Sequence, residues 1–292
     1  MIAESAKAKP VVELADVGQT FGNITALSGV SLSVSPGEVT CILGDNGAGK
    51  STLIKIVSGL YCEYTGQYMV DGEAVRFDSP KQALDRGIAT VYQDLALAPL
   101  MPVWRNFFLG SELTVGFGRL RMLDSKRMRA VCDAELRKMG VRLPDIDQPV
   151  GNLSGGQRQV VAIARAVYLG ARVLILDEPT AALGVKQSSM VLRYIAAARD
   201  AGLAVVFITH NPHHAFMVGD RFAVLNLGRV ELDAPRHELT LEDLTRRMSG
   251  GAELDTLRHE LGNVAAPDGG AGAKELAMTV GIGVVGAGRI GA

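Results

Sequence analysis

The sequence predicts an α/β fold with a mostly parallel core sheet, an antiparallel β subdomain and an inserted helical subdomain. The runs VLIL and AVVFI are continuously apolar and rich in β-branched residues, which is typical of strands covered by helices on both faces. A Gly-rich loop stands between an apolar run at 39–43 and a helical pattern at 50–59. Alternating segments before this loop, and again in GQYMVDGEAVRF, indicate antiparallel hairpins.

The remaining elements follow from the same patterns along the chain. Residues 11–43 predict short strands that feed a buried strand at 39–43, and FAVLNLGRVELD predicts a hairpin turning at Leu227 and Gly228. The other helices are expected at 80–86, through most of 99–149, at 186–201 and at about 241–261.

Composition narrows the function classes. A length of 292 residues suits one large α/β domain or two small ones, and 48% hydrophobic residues suit a packed core. The formal net charge of −1 disfavours a nucleic-acid partner, and three scattered cysteines indicate buried, reduced thiols. The amino end has no signal-peptide pattern, and no apolar run reaches the roughly 18–20 residues of a membrane span. Any membrane role is therefore expected to be peripheral.

The loop GDNGAGKST, residues 44–52, has the spacing of a phosphate-binding loop between a strand and a helix. Its glycines allow backbone N–H groups to converge on phosphates, and the helix N-terminus adds a positive dipole end. Lys50 can reach the β- and γ-phosphates of ATP, and the Ser51 hydroxyl can ligate Mg²⁺. The predicted nucleotide contacts in this loop are Gly44, Asn46, Gly47, Ala48, Gly49, Lys50, Ser51 and Thr52.

A second motif, VLILDE, ends an apolar strand in two acids, Asp177 and Glu178. Many strands end in acids, but after a phosphate-binding loop this pattern predicts a magnesium and water site. We expect Asp177 to hold the Mg²⁺ shell and Glu178 to polarise the attacking water.

The third motif is LSGGQ, residues 153–157. Ser154 and Gln157 have the form of a capping box, which predicts that a helix starts here. Gly155 and Gly156 allow close backbone approach to an anion, so Ser154, Gly155, Gly156 and Gln157 are expected nucleotide contacts. LSGGQ is the signature of the ATP-binding cassette (ABC) ATPases. The order of phosphate loop, glutamine, LSGGQ, acidic strand end and histidine resembles that family over roughly residues 11–250, which implies a P-loop ATPase fold.

The resemblance implies roles for three more residues. Phe21 stands where the family places an aromatic that stacks on adenine, although a phenylalanine can equally pack a core. Gln93 matches the glutamine that senses Mg²⁺ and the water, and its loop contacts the membrane subunit. His210 matches the histidine that contacts the γ-phosphate. The implied catalytic set is Glu178, His210 and Gln93, and the implied metal set is Ser51, Gln93 and Asp177.

Two features depart from the family pattern. After the acidic strand end the family usually reads Ser-Ala-Leu-Asp, whereas residues 181–184 read Ala-Ala-Leu-Gly, so the carboxylate that helps couple two sites is missing. His213 and His214 match nothing in the family and are expected to be solvated.

In this family two ATP molecules are sandwiched between two cassettes, with the phosphate loop of one facing LSGGQ of the other. Because the chain carries one of each motif, the resemblance implies pairing with a second copy, as a homodimer, or with a homologue. It also implies transmembrane permease subunits, an extracytoplasmic solute-binding protein acting through the permease, and a place at the cytoplasmic face of the cell membrane.

The stretches VYQDLALAPLMPVWRNFFLG and PVGNLSGGQRQVVAIARA resemble the ribose/xylose/fructose-type sugar importers, of which this would be a single-cassette member. The implied cargo is a sugar or polyol, such as a monosaccharide or inositol. Import of an amino acid or another small solute stays open. A soluble ABC ATPase acting on nucleic acid or ribosomes is disfavoured by the charge balance.

We expect residues 1–262 to form the cassette, with a helical subdomain at about 95–170, and residues 263–292 to form a flexible, dispensable tail. The tail ends in a truncated dinucleotide-binding-like segment that contains Gly286, Gly288 and Gly291. Because no second strand and no ribose-binding acid follow, it is not expected to bind NAD. It indicates the remnant of a fusion to a sugar or inositol dehydrogenase, or a read-through of a neighbouring gene.

Overall fold

The computed structural model describes residues 9–116 and 120–248. The predicted tail, and the predicted helix beyond residue 248, lie outside the described residues. The strands are β1 (Val12–Phe21), β2 (Ile24–Val34), β3 (Val39–Leu43), β4 (Thr65–Val70), β5 (Glu73–Ala74), β6 (Ile88–Val91), β7 (Thr114–Val115), β8 (Met122–Leu123), β9 (Val173–Asp177), β10 (Ala204–Thr209), β11 (Arg221–Asn226) and β12 (Arg229–Pro235). The helices are α1 (Lys50–Val57), α2 (Pro80–Asp85), α3 (Val103–Phe107), α4 (Ser125–Lys138), α5 (Gly155–Tyr168), α6 (Val185–Asp200), α7 (Pro212–Val218) and α8 (Leu241–Met248).

The central sheet has the strand order β12-β11-β3-β10-β9-β6, and only its edge pair β11–β12 is antiparallel. Every residue of β3 and β10 is buried, which explains why both strands are apolar except at Thr40 and Thr209. Along β10 the side chains alternate between two cores: Val206 and Ile208 pack in one, and Val205 and Phe207 in the other. The predicted, mostly parallel core sheet is confirmed.

The second sheet is antiparallel, in the order β2-β1-β4-β5. Residues 11–43 were predicted to form short strands, but the first two, β1 and β2, have 10 and 11 residues. Their pairing register shifts three times, between Leu14 and Thr20 on β1. These bulges interrupt the alternation of apolar and polar side chains, so the pattern underestimates the length of the strands.

The prediction that 99–149 is mostly helical is wrong for much of this stretch. Its described part contains α3 and α4, and between them β7 and β8 pair as a short hairpin. Gly140 ends the helical region with φ 73°, and Pro144 and Pro149 oppose a further helix. A third buried cluster, which includes Phe107 and Leu136, joins α3, α4 and α5. The limits of the helical subdomain, 95–170, stay a prediction.

Within the described residues, none of the helices combines the length and the apolar character that crossing a bilayer requires.

Candidate active site

The loop after β3 passes close to two neighbouring strands. Gly44 adopts φ 149°, and a Cβ there would lie 2.3 Å from the Leu225 carbonyl oxygen. Gly49 adopts φ 103°, and a Cβ there would lie 2.8 Å from the Ala26 carbonyl oxygen. Gly47 has φ 85° but has no atom within 4 Å of an added Cβ. At positions 44 and 49, glycine is therefore required both by the positive φ and by the nearby carbonyl oxygen. At position 47 it is required by the positive φ alone.

Lys50 is the first residue of α1 and is 9% exposed. Its ammonium group donates to the carbonyl oxygens of Gly44, at 2.6 Å, and Asp45, at 3.0 Å. No side chain caps this end of α1, so the first N–H groups of the helix can serve an anion. The other predicted contacts of the loop differ in exposure: Asn46 and Ser51 are exposed, Thr52 is half-buried and Ala48 is buried.

Asp177 ends β9 and is half-buried. Burial raises the pKa of its carboxyl group, and the charge of Glu178 raises it further, whereas the ammonium groups of Lys50 and Lys55 lower it. Asp177 and Glu178 supply two adjacent carboxyl groups, and Ser51 supplies an exposed hydroxyl; all three are hard oxygen donors. This donor set fits a magnesium ion.

Glu178 follows β9 in a left-handed conformation, with φ 47°. Its side chain is 13% exposed and is held at both oxygens: Oε1 lies 2.9 Å from His210 Nδ1, and Oε2 accepts the Thr209 hydroxyl at 3.3 Å. Because a carboxylate only accepts, Nδ1 is the protonated nitrogen in this contact. Sequence reasoning missed Thr209, since a threonine within an apolar strand usually fills a core position.

Gln93 follows β6 and is exposed. It lines an open cleft of about 500 Å³ together with Glu178, Gly155 and Leu183. The buried Gln159 of α5 lines the same cleft, and its amide nitrogen has no hydrogen-bond partner within the described residues. The cleft therefore brings together three of the predicted motifs.

The predicted helix start at LSGGQ is confirmed. The Ser154 side chain accepts the Gln157 N–H at 3.3 Å, and the Gln157 side chain accepts the Ser154 N–H at 2.9 Å. The two glycines also have a packing role that the sequence did not reveal. A Cβ at Gly155 would lie 2.7 Å from Leu183 Cδ2, and a Cβ at Gly156 would lie 3.1 Å from side-chain atoms on α6. Gly156 lets α5 approach α6 closely, and Gly155 leaves room for Leu183 in the turn before α6.

Phe21 ends β1 and is 42% exposed. Its ring meets Tyr61 edge to face, with centroids 5.4 Å apart. The Lys55 ammonium lies 5.3 Å from the centre of the Tyr61 ring. Sequence reasoning missed Tyr61 because it stands outside every motif. The exposure of Phe21 favours a surface role over a core role.

His214 is not solvated as predicted. It is half-buried in α7, and its Nδ1 lies 3.0 Å from the Thr180 hydroxyl oxygen. Burial lowers the pKa of the imidazole, and the neighbouring His213 and His210 lower it further. His213 is exposed, as predicted.

Gly184, where the family usually has a carboxylate, immediately precedes α6 with φ −70° and gives that helix no side-chain cap. The next residue, Val185, is 85% exposed. The loop between Glu178 and α6 thus ends in two exposed, uncharged residues, and no carboxylate stands at its end.

The two predicted phosphate-binding helix starts belong to different parts of the fold. Helix α1 packs against β2 and β9, whereas α5 packs against α3, α4, α6 and β6.

A parallel sheet with a phosphate loop after β3 and acids at the end of β9 defines the class: the chain is a P-loop nucleotide-binding protein.

Comparison with known proteins specifies the family. The ABC transporter family matches residues 27–181. The chain is 43% identical to the xylose/arabinose import ATP-binding protein XylG of Sulfolobus acidocaldarius, over 83% of this chain and 95% of that protein. It is 41% identical to the fructose import ATP-binding protein FrcA of Rhizobium meliloti, over 84% and 96%. It is 38% identical to the ribose import ATP-binding protein RbsA 1 of Burkholderia ambifaria, over 85% of this chain but only 48% of that protein.

Solved structures agree with this likeness. The dimeric structure of a bacterial ABC transporter cassette is 27% identical and has a TM-score of 0.65, covering 77% of this chain and 98% of the other. An ABC cassette in its ADP conformation shows the same fold at 22% identity and a TM-score of 0.70, covering 83% and 96%. The chain belongs to the ABC transporter family. The P-loop ATPase fold implied by the sequence is confirmed.

Proposed function

We propose that this chain is the ATP-hydrolysing subunit of an importer for a sugar or polyol, at the cytoplasmic face of the membrane. The names of the xylose/arabinose, fructose and ribose import relatives support a sugar. The observation that carries the ATPase assignment is the pairing of β9 with β10, which brings Glu178 to His210 at 2.9 Å beside the phosphate loop.

In this proposal the phosphates of ATP lie against the amides of the loop from Gly44 to Thr52 and the start of α1. Lys50 turns its ammonium group from the loop carbonyls to the β- and γ-phosphates. Phe21 offers its exposed ring to the adenine. Mg²⁺ would be held by Ser51, Asp177 and Gln93, where it neutralises charge on the phosphate oxygens.

Glu178 acts on the attacking water. Thr209 and His210 fix the two carboxylate oxygens, so the group is held in one orientation to accept a hydrogen bond from water. His210 uses Nδ1 for this contact, so Nε2 is the ring nitrogen left to face the γ-phosphate, to which it donates when the imidazole carries both protons.

The complete site needs a second cassette. Ser154, Gly155, Gly156 and Gln157 start α5, which packs on elements other than α1, and we propose that they serve the ATP of a partner copy. The likeness to a dimeric cassette structure supports this pairing. Permease subunits and an extracytoplasmic solute-binding protein acting through them would supply the path and the choice of solute.

Two measurements test the proposal. Purified full-length chain should hydrolyse MgATP, and Lys50→Ala should lose nucleotide binding, while Lys81→Ala, whose side chain is 80% exposed, should not. No hydrolysis by the parental chain would overturn the ATPase assignment.

The transported solute is tested by measuring uptake of labelled xylose, fructose, ribose and inositol. The cells are those of the source organism from which the gene for this chain has been deleted. Uptake of one of these should fall and should return with the parental gene but not with Lys50→Ala. Loss of amino-acid uptake instead would replace the sugar by another solute and leave the ATPase assignment in place.

A further inference from the structure

The segment after β10 contacts the turn after β9 at two separated points. His210 Nδ1 lies 2.9 Å from Glu178 Oε1, and four residues later His214 Nδ1 lies 3.0 Å from Thr180 Oγ1. The first contact joins two residues of the proposed reaction. The second joins two residues that the reaction does not use.

The turn after β9 needs external support. Glu178 has φ 47°, a conformation that is strained for a residue with a Cβ. The Ala181 N–H closes the turn onto the Glu178 carbonyl oxygen at 3.0 Å. Strained conformations of this kind persist when the surroundings hold them in place. Thr180, 5% exposed, carries the buried hydroxyl of this turn, and that hydroxyl contacts His214.

His214 is itself firmly placed. Its backbone N–H donates to the Asn211 side chain at 3.1 Å, and the Asn211 N–H donates to the Thr209 hydroxyl at 3.1 Å. Helix α7 packs against β3 and β10, so the imidazole is anchored to the core sheet. Its lowered pKa keeps the ring neutral at neutral pH, which avoids a buried charge beside the turn.

We propose that His214 is a positioning residue for Glu178: through the Thr180 hydroxyl it holds the turn 178–181 that directs the Glu178 carboxylate. The inference rests on the proposed function of Glu178. It concerns a histidine that the family pattern does not explain.

Steady-state hydrolysis of MgATP by the full-length chain tests this role. His214→Phe keeps a ring of similar shape without the nitrogen, and kcat should fall about tenfold, because small displacements of a catalytic group cost up to about 100-fold. The KM for ATP should stay within about twofold, since the phosphate loop is untouched. His214→Asn can place an amide atom where Nδ1 lies and should keep most of the rate. The matched control is His213→Phe, at an exposed neighbour, which should keep the parental kcat.

Thr180→Val removes the same contact by deleting the hydroxyl that His214 binds. It replaces His214→Phe in the test if that variant does not fold. The double variant should be no slower than the slower single variant, because both changes remove one interaction. A parental kcat in His214→Phe, an equal loss in His213→Phe, or multiplied losses in the double variant would overturn the proposal. Glu178→Gln is measured in parallel: if it hydrolyses at the parental rate, the proposed function of Glu178 fails, whatever His214 does.

Discussion

His210 Nδ1 lies 2.9 Å from Glu178 Oε1, so two residues proposed for catalysis are in direct contact within one chain. The contact follows from the sheet: β9 and β10 are parallel, and Asp177 pairs with Ile208. Residues that follow these two positions therefore emerge side by side at the carboxyl edge of the sheet. The same register places Thr209 against the second oxygen of Glu178.

Thr209→Val should lower kcat about tenfold with little change in the KM for ATP. The Thr209 side chain is 1% exposed, and its hydroxyl donates to Glu178 and accepts from the Asn211 N–H. Valine fills the same volume but leaves a carboxylate oxygen and an N–H without this partner, and hydrogen bonds to charged groups are worth about 1.5–3 kcal/mol. Steady-state ATPase assays check this, with Thr209→Ser as the control that keeps the hydroxyl. Equal rates for both variants would show that the hydroxyl does not orient Glu178.

Gly44→Ala should destabilise the chain more than Gly47→Ala. Both glycines have positive φ, so each alanine costs about 1 kcal/mol of strain. Only at Gly44 does the new methyl group meet the Leu225 carbonyl oxygen, which should bring the total to about 3 kcal/mol. Urea unfolding of the two variants measures the difference in the free energy of unfolding. Equal losses would mean that the loop moves away from β11 without cost.

Ser154→Arg should abolish hydrolysis while nucleotide binding persists. The arginine would fill the space where the start of α5 meets the partner's phosphate, whereas Lys50 and its loop stay intact. Ser154→Ala is the matched control because it loses the same helix cap, at about 1 kcal/mol, without adding bulk. Nucleotide-binding titrations and ATPase assays separate the two effects. Normal turnover by a monomeric Ser154→Arg chain would contradict the shared site.

As the pH falls below about 6.5, the ordinary pKa of histidine, the free energy of unfolding should fall less for His214→Asn than for the parental chain. Burial, His213 and His210 lower the pKa of His214 in the folded chain, so between the folded and unfolded pKa values the unfolded state binds more protons. The parental chain therefore loses stability as the pH falls between these two pKa values. The variant does not show this loss, because asparagine does not titrate. Melting temperatures at pH 7.5 and 5.5 test it, with His237→Asn, at a histidine that is 80% exposed and does not act on His214, as the control. A constant difference between the two chains would contradict the shifted pKa.

The sequence predicted most of what local chemistry determines. The strands β9 and β10 have continuous apolar runs because both faces of the sheet are covered, and the Ser154–Gln157 box marks a helix start by itself. The phosphate loop could also be recognised from its local sequence. Its glycines could be recognised, although the contacts of Gly44 with β11 and Gly49 with β2 could not.

What the sequence did not predict depends on tertiary contacts. From the sequence, Thr209 was predicted to lie in an apolar strand and His214 to be solvated, whereas the β9–β10 pairing brings them to Glu178 and Thr180. The hairpin β7–β8 was missed inside a stretch predicted to be mostly helical, because two-residue strands have no usable periodicity. The limits of the helical subdomain and the nature of the tail remain predictions.

The most direct test of the central claim is ATP hydrolysis by Glu178→Gln. Glutamine keeps the shape: its amide oxygen can accept from His210 and its amide nitrogen can donate to the Thr209 hydroxyl. It removes the basic carboxylate, and loss of general-base assistance costs about 10²–10⁴-fold in rate. Binding should persist because Lys50 and the loop amides still hold the phosphates, so the variant should accumulate as a dimer on a sizing column with MgATP but not with ADP. The account predicts this slow, ATP-trapped dimer. Hydrolysis by Glu178→Gln at close to the parental rate would contradict it, because another group would then position the water.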